Sequence, residues 1–244
     1  MLRTLLLGIA TLLGIALAAF LVWTLTPYRA DATARQAMQS AAGVTVTEGR
    51  EGIVFSPADD PAAGLILYPG GRVEAAAYAP LARMIAEEGY LVVVQPMPLN
   101  LAVFGIGRAE RAIDAYPDLT TWAVGGHSLG GSMAAEFAAR EPERVSGLVL
   151  IASYPASSRD LSGADLTAVT LHATNDGLVT AVQIEDAQLR LPPSSRVVLI
   201  EGGNHAGFGS YGEQRGDGRS SLPEGEQTAI AAEAVTELLG SLAE

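Results

Sequence analysis

Cysteine is missing from the 244 residues, and histidine occurs only three times. Without cysteine there is no disulfide, no thiolate nucleophile and no cysteine-ligated metal. No two histidines stand at HxH or HxxxH spacing, so no metal site and no bound cofactor are expected. Lysine is absent too: all 15 basic residues are arginines, scattered singly against 27 acidic residues for a net charge of −12. Binding to a phosphate backbone needs a basic patch, so a nucleic-acid partner is not expected.

Charge is also lacking in one long run. From Thr4 to Leu25 the chain reads "TLLLGIATLLGIALAAFLVWTL". At about 1.5 Å per helical residue this matches a hydrocarbon core roughly 30 Å thick. Arg3 and Arg29 bracket it, and Trp23 and Tyr28 lie near its far end, where amphipathic rings favour the interface. The competing reading is a signal peptide cleaved at "ADA" (30–32), but the apolar region exceeds the usual length of such a segment. The expected organisation is therefore a single-pass anchor over 1–29, a small-residue linker over 30–42 and one globular domain over 43–244. The arginines on the two sides nearly balance. An export-like apolar segment behind a short N-terminal flank places the domain outside the cytoplasm.

Beyond the linker, "VTVTE" and "GIVF" flank "GREG" as a hairpin. Six short apolar runs follow: "GLILY" (64–68), "YLVVVQ" (90–95), "TWAVGG" (121–126), "SGLVLIA" (146–152), "AVTLHA" (168–173) and "RVVLIEG" (196–202). Continuously hydrophobic strands of this kind are buried on both faces, as in a parallel sheet. Helical segments lie between them, so the pattern predicts a doubly wound α/β sheet with helices on both faces. About 15 residues separate the fourth and fifth runs, which leaves little room for a lid.

The chemistry centres on "WAVGGHSLGGS", where a buried strand runs through Gly126, His127, Ser128, Leu129 and Gly130 straight into an alanine-rich helix. The GxSxG pattern forces its serine into a sharp strand-to-helix turn and projects the hydroxyl above the sheet. The helix that follows aims free N–H groups and its dipole at the same point. Ser128 is thus the expected nucleophile. Of the three histidines, His127 adjoins the serine and is expected to pack beneath it. His172 lies inside an apolar strand, as a core histidine would. His205, in the glycine-rich loop "EGGNHAGFG" after the last strand, is left as general base, read here as a flexible loop residue. Asp176 in "NDGLVT", also at a strand's carboxyl end, is the expected orienting acid; alone it would read as a turn former, but the order Ser, Asp, His is the one this scaffold uses. The Leu129 N–H and the Gly71 N–H, with Gly70 as alternative, form the expected oxyanion hole.

These motifs resemble those of the α/β-hydrolase superfamily, in particular the compact lidless kind that includes dienelactone-hydrolase-like proteins and small bacterial esterases. The similarity runs over roughly residues 43–242 and rests on "GGHSLGG", "NDGLV", "GGNHAGFG" and "YPGGRV". It implies an eight-stranded, mostly parallel sheet opening with an antiparallel hairpin. The family's frequent "HG" at the oxyanion loop is "PG" here, and dienelactone hydrolases proper use cysteine, so their lactone substrate does not carry over. The long segment "FGSYGEQRGDGRSSLPEGEQ" after His205, with Tyr211, is read as a flap beside the site or a surface loop. The expected activity is cofactor-free hydrolysis of a small-molecule carboxylic ester or related acyl compound through an acyl-enzyme. Acyl transfer on the same scaffold and a non-catalytic membrane-tethered binding domain are the alternatives.

Overall fold

The computed structural model describes residues 2–41 and 43–244. Helix α1 (Leu2–Leu25) has a mean hydropathy of 2.7 over its most apolar stretch, none of which is buried. It has the length and composition shared by membrane anchors and signal sequences. The segment expected as a linker is docked instead. Asp31 caps the short helix α2 (Ala32–Ala37) by accepting the Ala34 N–H at 2.9 Å, and Ala30 and Ala34 are buried.

Strands β1 (Thr45–Glu48) and β2 (Ile53–Ser56) form the hairpin, and β2 pairs antiparallel with β4 (Leu91–Val94). From β4 onward every pairing is parallel, through β3 (Gly64–Tyr68), β5 (Trp122–His127), β6 (Gly147–Ile151), β7 (Thr167–Ala173) and β8 (Arg196–Ile200). The sheet has eight strands in the order β1-β2-β4-β3-β5-β6-β7-β8.

Alternation along each central strand divides the core into two layers. Leu65, Leu67, Val92, Val94, Val149 and Ile151 pack on one side, with α3 (Ala79–Glu87) and α7 (Glu226–Ala243). Ile66, Tyr68, Val93, Val124, Leu148 and Leu150 face the other, where α5 (Leu129–Arg140) contributes Ala134 and Phe137 and α4 (Arg108–Ala115) contributes Ala109 and Ala112. The expectation of two-sided burial fails at β8. This strand ends the sheet, and α6 (Ala181–Gln188) buries only Ala187, so Val197 and Leu199 are 49% and 61% exposed. Continuous hydrophobicity reports strand character here without reporting burial, because the outer face of an edge strand has no helix to cover it.

The contrast between central and edge strands sets a test. Leu67→Ala should cost about 2–5 kcal/mol in urea unfolding, because it leaves a cavity in a filled layer. Leu199→Ala should cost less than about 1 kcal/mol.

Candidate active site

Parallel strands deliver their carboxyl ends to one edge of the sheet, and the loops after β3, β5, β7 and β8 meet there. Ser128 follows β5 with φ 52° and ψ −123°, a conformation an L-residue holds only under external constraint. The constraint is visible. The Ser128 N–H donates to the Ile151 carbonyl at 2.9 Å. The Ser128 carbonyl accepts from the Gly131 and Ser132 N–H groups and, at 2.6 Å, from Ser153 Oγ. Glycine at 126 and 130 is a matter of clearance. A Cβ on Gly126 would lie 2.5 Å from the Gly130 carbonyl carbon, and one on Gly130 only 2.2 Å from the Tyr68 oxygen. Ser128 itself is half-buried and open to a reactant.

His205 and Asp176 are brought together: Nδ1 of the imidazole lies 2.8 Å from Asp176 Oδ2. The other carboxylate oxygen, Oδ1, accepts the Leu178 and Val179 N–H groups at 2.7 and 2.8 Å. Asp176 therefore caps its own turn and holds the His205 ring at once. Burial pushes its pKa up, but the His205 hydrogen bond and charge with the two backbone donors outweigh that and hold it below the ordinary aspartate value. His205 Nε2 is buried and has no partner among the described residues, and Ser128 Oγ likewise makes no hydrogen bond there. His205 stands beside the elbow, its ring centroid 4.5 Å from that of His127, the residue before the serine.

His205 is not on a flexible loop, contrary to the sequence reading: the residue is 1% exposed and its backbone is tied down. Asp217 Oδ1 accepts the His205 and Gly177 N–H groups, both at 3.1 Å, and Oδ2 accepts that of Ala206 at 2.8 Å. One carboxylate thus fixes the loops carrying both His205 and Asp176. The segment expected as a flap or surface loop carries this brace, and its Tyr211 is buried against Tyr28.

His127 packs at the elbow as expected, with a partner that sequence reasoning missed. Tyr78 Oη accepts the Gly70 N–H at 2.9 Å and lies 2.7 Å from His127 Nδ1. Burial pushes the Tyr78 pKa up, so the phenol stays protonated and donates to Nδ1. Burial, then the neighbouring His205, holds the His127 pKa well below the usual histidine value. A neutral His127 places no like charge beside an imidazolium on His205. His172 is buried as a core histidine, its pKa lowered by desolvation to about 4.

The same tyrosine distinguishes Gly70 from Gly71. The Gly70 N–H is taken by Tyr78, whereas the Gly71 N–H and the Leu129 N–H have no acceptor among the described residues. The two are neighbours, since a Cβ on Gly71 would lie 3.3 Å from Leu129 Cδ2. Among the described residues no three histidine or acidic side chains converge as a metal site would require. A cavity of about 660 Å³ opens elsewhere, between α2 and the 207–225 segment, and none of Ser128, His205 or Asp176 lines it.

A strained serine on a strand-helix elbow, with a His-Asp pair on later strand ends in chain order, agrees with the family comparison. The model of an alpha/beta hydrolase family matches residues 64–229. The chain belongs to the alpha/beta hydrolase family. Among solved structures it is similar in fold to a predicted CIB-like hydrolase from Thermoplasma acidophilum (17% identity, TM-score 0.58, covering 80% of this chain and 100% of that one). A dienelactone hydrolase from Anabaena variabilis matches with 20% identity and TM-score 0.60 over 82% of this chain and 99% of its own. The esterase domain of a Rhodothermus marinus protein matches with 12% identity and TM-score 0.60 over 82% and 98%. No curated protein matches the chain. Family membership supports hydrolase activity, and these neighbours support the fold.

Tyr78 and Asp217 left weak signals in the sequence. Tyr78 stands in an alanine-rich stretch and Asp217 in "RGDGR", where an aspartate between glycines reads as an ordinary turn. Asp217→Ala should cost about 2–4 kcal/mol in urea unfolding, because it strands backbone donors that are partly buried. The pH dependence follows from His172. The folded state holds it neutral down to about pH 4, whereas the unfolded chain takes up a proton below about pH 6.5, so stability falls as pH drops between those values. That loss is about 3 kcal/mol for a shift of this size, and His172→Gln should remove it from urea midpoints measured between pH 7 and 4.

Proposed function

We propose that this alpha/beta hydrolase is a serine hydrolase of carboxylic esters, working through a Ser128-His205-Asp176 triad. The observation that carries the reading is the 2.8 Å bond between His205 Nδ1 and Asp176 Oδ2, with Nε2 left unpartnered beside the strained Ser128 elbow.

In the first step Ser128 Oγ attacks the ester carbonyl while His205 Nε2 takes the hydroxyl proton. Asp176 holds the Nδ1–H tautomer and offsets the positive charge that forms on the ring. The carbonyl oxygen, now negative, is held by the Gly71 and Leu129 N–H groups at the positive end of α5. The acyl–oxygen bond to the alcohol breaks as His205 returns its proton to the leaving alkoxide, which leaves an acyl-Ser128. Water then attacks that acyl group, with His205 again as base, and releases a carboxylic acid. Each step balances without a cofactor. Removing one oxyanion donor in such a site costs about 100- to 1,000-fold in rate, so the two unclaimed N–H groups carry much of the acceleration.

We also propose that α1 is retained as an anchor with the domain outside the cytoplasm. Support for retention comes from Tyr28, whose N–H donates to the Arg72 carbonyl at 2.7 Å and whose carbonyl accepts the Glu74 N–H at 3.0 Å. Cleavage at 30–32 would remove this pairing from the oxyanion loop.

Treatment of the full chain with a fluorophosphonate should give one adduct, mapped to Ser128 by peptide mass analysis. Ser128→Ala should take no label, and His205→Ala should react at least about 1,000-fold more slowly. Rapid labelling of His205→Ala would contradict the assignment of the base.

A further inference from the structure

Helix α1 and the loop after β3 are joined chiefly by the side chain of Arg72. Arg72 directly follows Gly71, and its guanidinium reaches the carboxyl end of α1, where Nε donates to the Trp23 carbonyl at 2.7 Å and Nη2 to the Thr26 carbonyl at 2.6 Å. These are terminal carbonyls without intrahelical partners, and a cation there complements the helix dipole. The guanidinium also lies 4.7 Å from the centroid of the Trp23 ring and 5.6 Å from that of Tyr28. A second tie runs through the turn after β4. Asn100 Nδ2 donates to the Thr24 carbonyl at 3.0 Å, and the Asn100 carbonyl accepts the Arg72 N–H at 2.7 Å. Both Arg72 and Asn100 hold positive φ, 60° and 54°, to make these contacts.

The position of this junction matters more than its strength. The loops after β3 and β4 lie at the carboxyl ends of the strands, where Ser128, Asp176 and His205 stand. The anchor therefore leaves the domain from its catalytic end, and the remainder of its apolar length is unburied. Next to the junction, Val103 and Phe104 are 42% and 54% exposed. They belong to the same turn as Leu101, whose side chain comes within 3.9 Å of a Cβ placed on Gly71. Apolar side chains left open beside a membrane-spanning helix and an active-site loop suit the acyl boundary of a bilayer.

We propose that the active site opens onto the bilayer, with Arg72 as the positioning residue that registers the oxyanion loop against the anchor, and that the substrate is an amphiphilic carboxylic ester resident in the facing leaflet. Its alkyl part stays among the lipid chains while the ester carbonyl, which lies at the headgroup level, reaches Ser128. The products are a fatty carboxylic acid and the alcohol, with water as the only co-reactant. The substrate class rests on the serine-hydrolase reading above, and the placement rests on α1 being retained.

The chain has no cysteine, so single-cysteine variants of the full protein report cleanly. Phe104→Cys and Glu143→Cys, the second exposed before β6 at the opposite end of the sheet, would carry nitroxides in phosphatidylcholine vesicles. Oxygen should relax the label at 104 in preference to a water-soluble nickel chelate, and the reverse should hold at 143. Equal nickel access at both positions overturns the placement. In the same vesicles, a long-chain umbelliferyl ester held in the bilayer should be cleaved at least about tenfold more efficiently than umbelliferyl acetate in water, and Arg72→Gln should lower that ratio by about fivefold or more. A chain that cleaves the acetate and spares the bilayer ester overturns the substrate class while leaving the serine chemistry intact. Absence of fluorophosphonate labelling at Ser128, with position 104 still lipid-exposed, overturns the esterase reading and keeps the placement.

Discussion

How closely α5 can approach the ends of β3 and β5 governs what the catalytic end can do. The helix begins one residue after the strand stops, and its first turn runs against the backbone of Tyr68 and of Gly126 itself. Any side chain at 126 or 130 would occupy space already filled by main-chain atoms, which cannot move aside as a flexible side chain can. Ser128 is held at positive φ by that contact and by hydrogen bonds on both sides of its peptide. Strain stored in one residue persists because the surrounding sheet and helix over-determine it.

Around that elbow single polar side chains each hold more than one group in place. Tyr78 occupies the Gly70 N–H and the Nδ1 of His127 and leaves the Gly71 N–H open, while burial and the neighbouring His205 keep His127 neutral. Asp176 divides its oxygens between its own turn and the imidazole of His205. Asp217 binds the backbone of both loops and is not in contact with the reacting atoms. An imidazole held this firmly would need little reorganisation in the proposed proton transfer, since its orientation is set before a reactant arrives. Arg72 extends the same logic outward, because the loop that supplies Gly71 is tied to the apolar helix α1.

Much of this was legible in the chain. Strand-helix alternation gave the doubly wound sheet, and the GxSxG turn singled out Ser128 because few other arrangements need glycine on both sides of a serine between a strand and a helix. With only three histidines, elimination pointed to His205 and chain order to Asp176, and the fold sets these two side chains 2.8 Å apart. The exposure of β8 was not legible, since "RVVLIEG" is as apolar as the buried strands and its place at the edge depends on sheet order. Nor was the role of the 207–226 segment, in which Asp217 looks like any aspartate between glycines.

Local rules therefore determined the elements, the elbow and the candidate side chains for the chemistry, because backbone sterics, periodicity and the chemistry of a hydroxyl act over a few residues. Tertiary structure alone decided which N–H groups are free, which histidine is kept neutral and where the anchor meets the domain. Gly70 and Gly71 are indistinguishable until Tyr78 folds over one of them, and Arg72 is one of 15 arginines until Trp23 and Thr26 present their carbonyls to it. These contacts join residues far apart in the chain, and a hydrogen bond depends on distance and direction in space, which residue order does not specify.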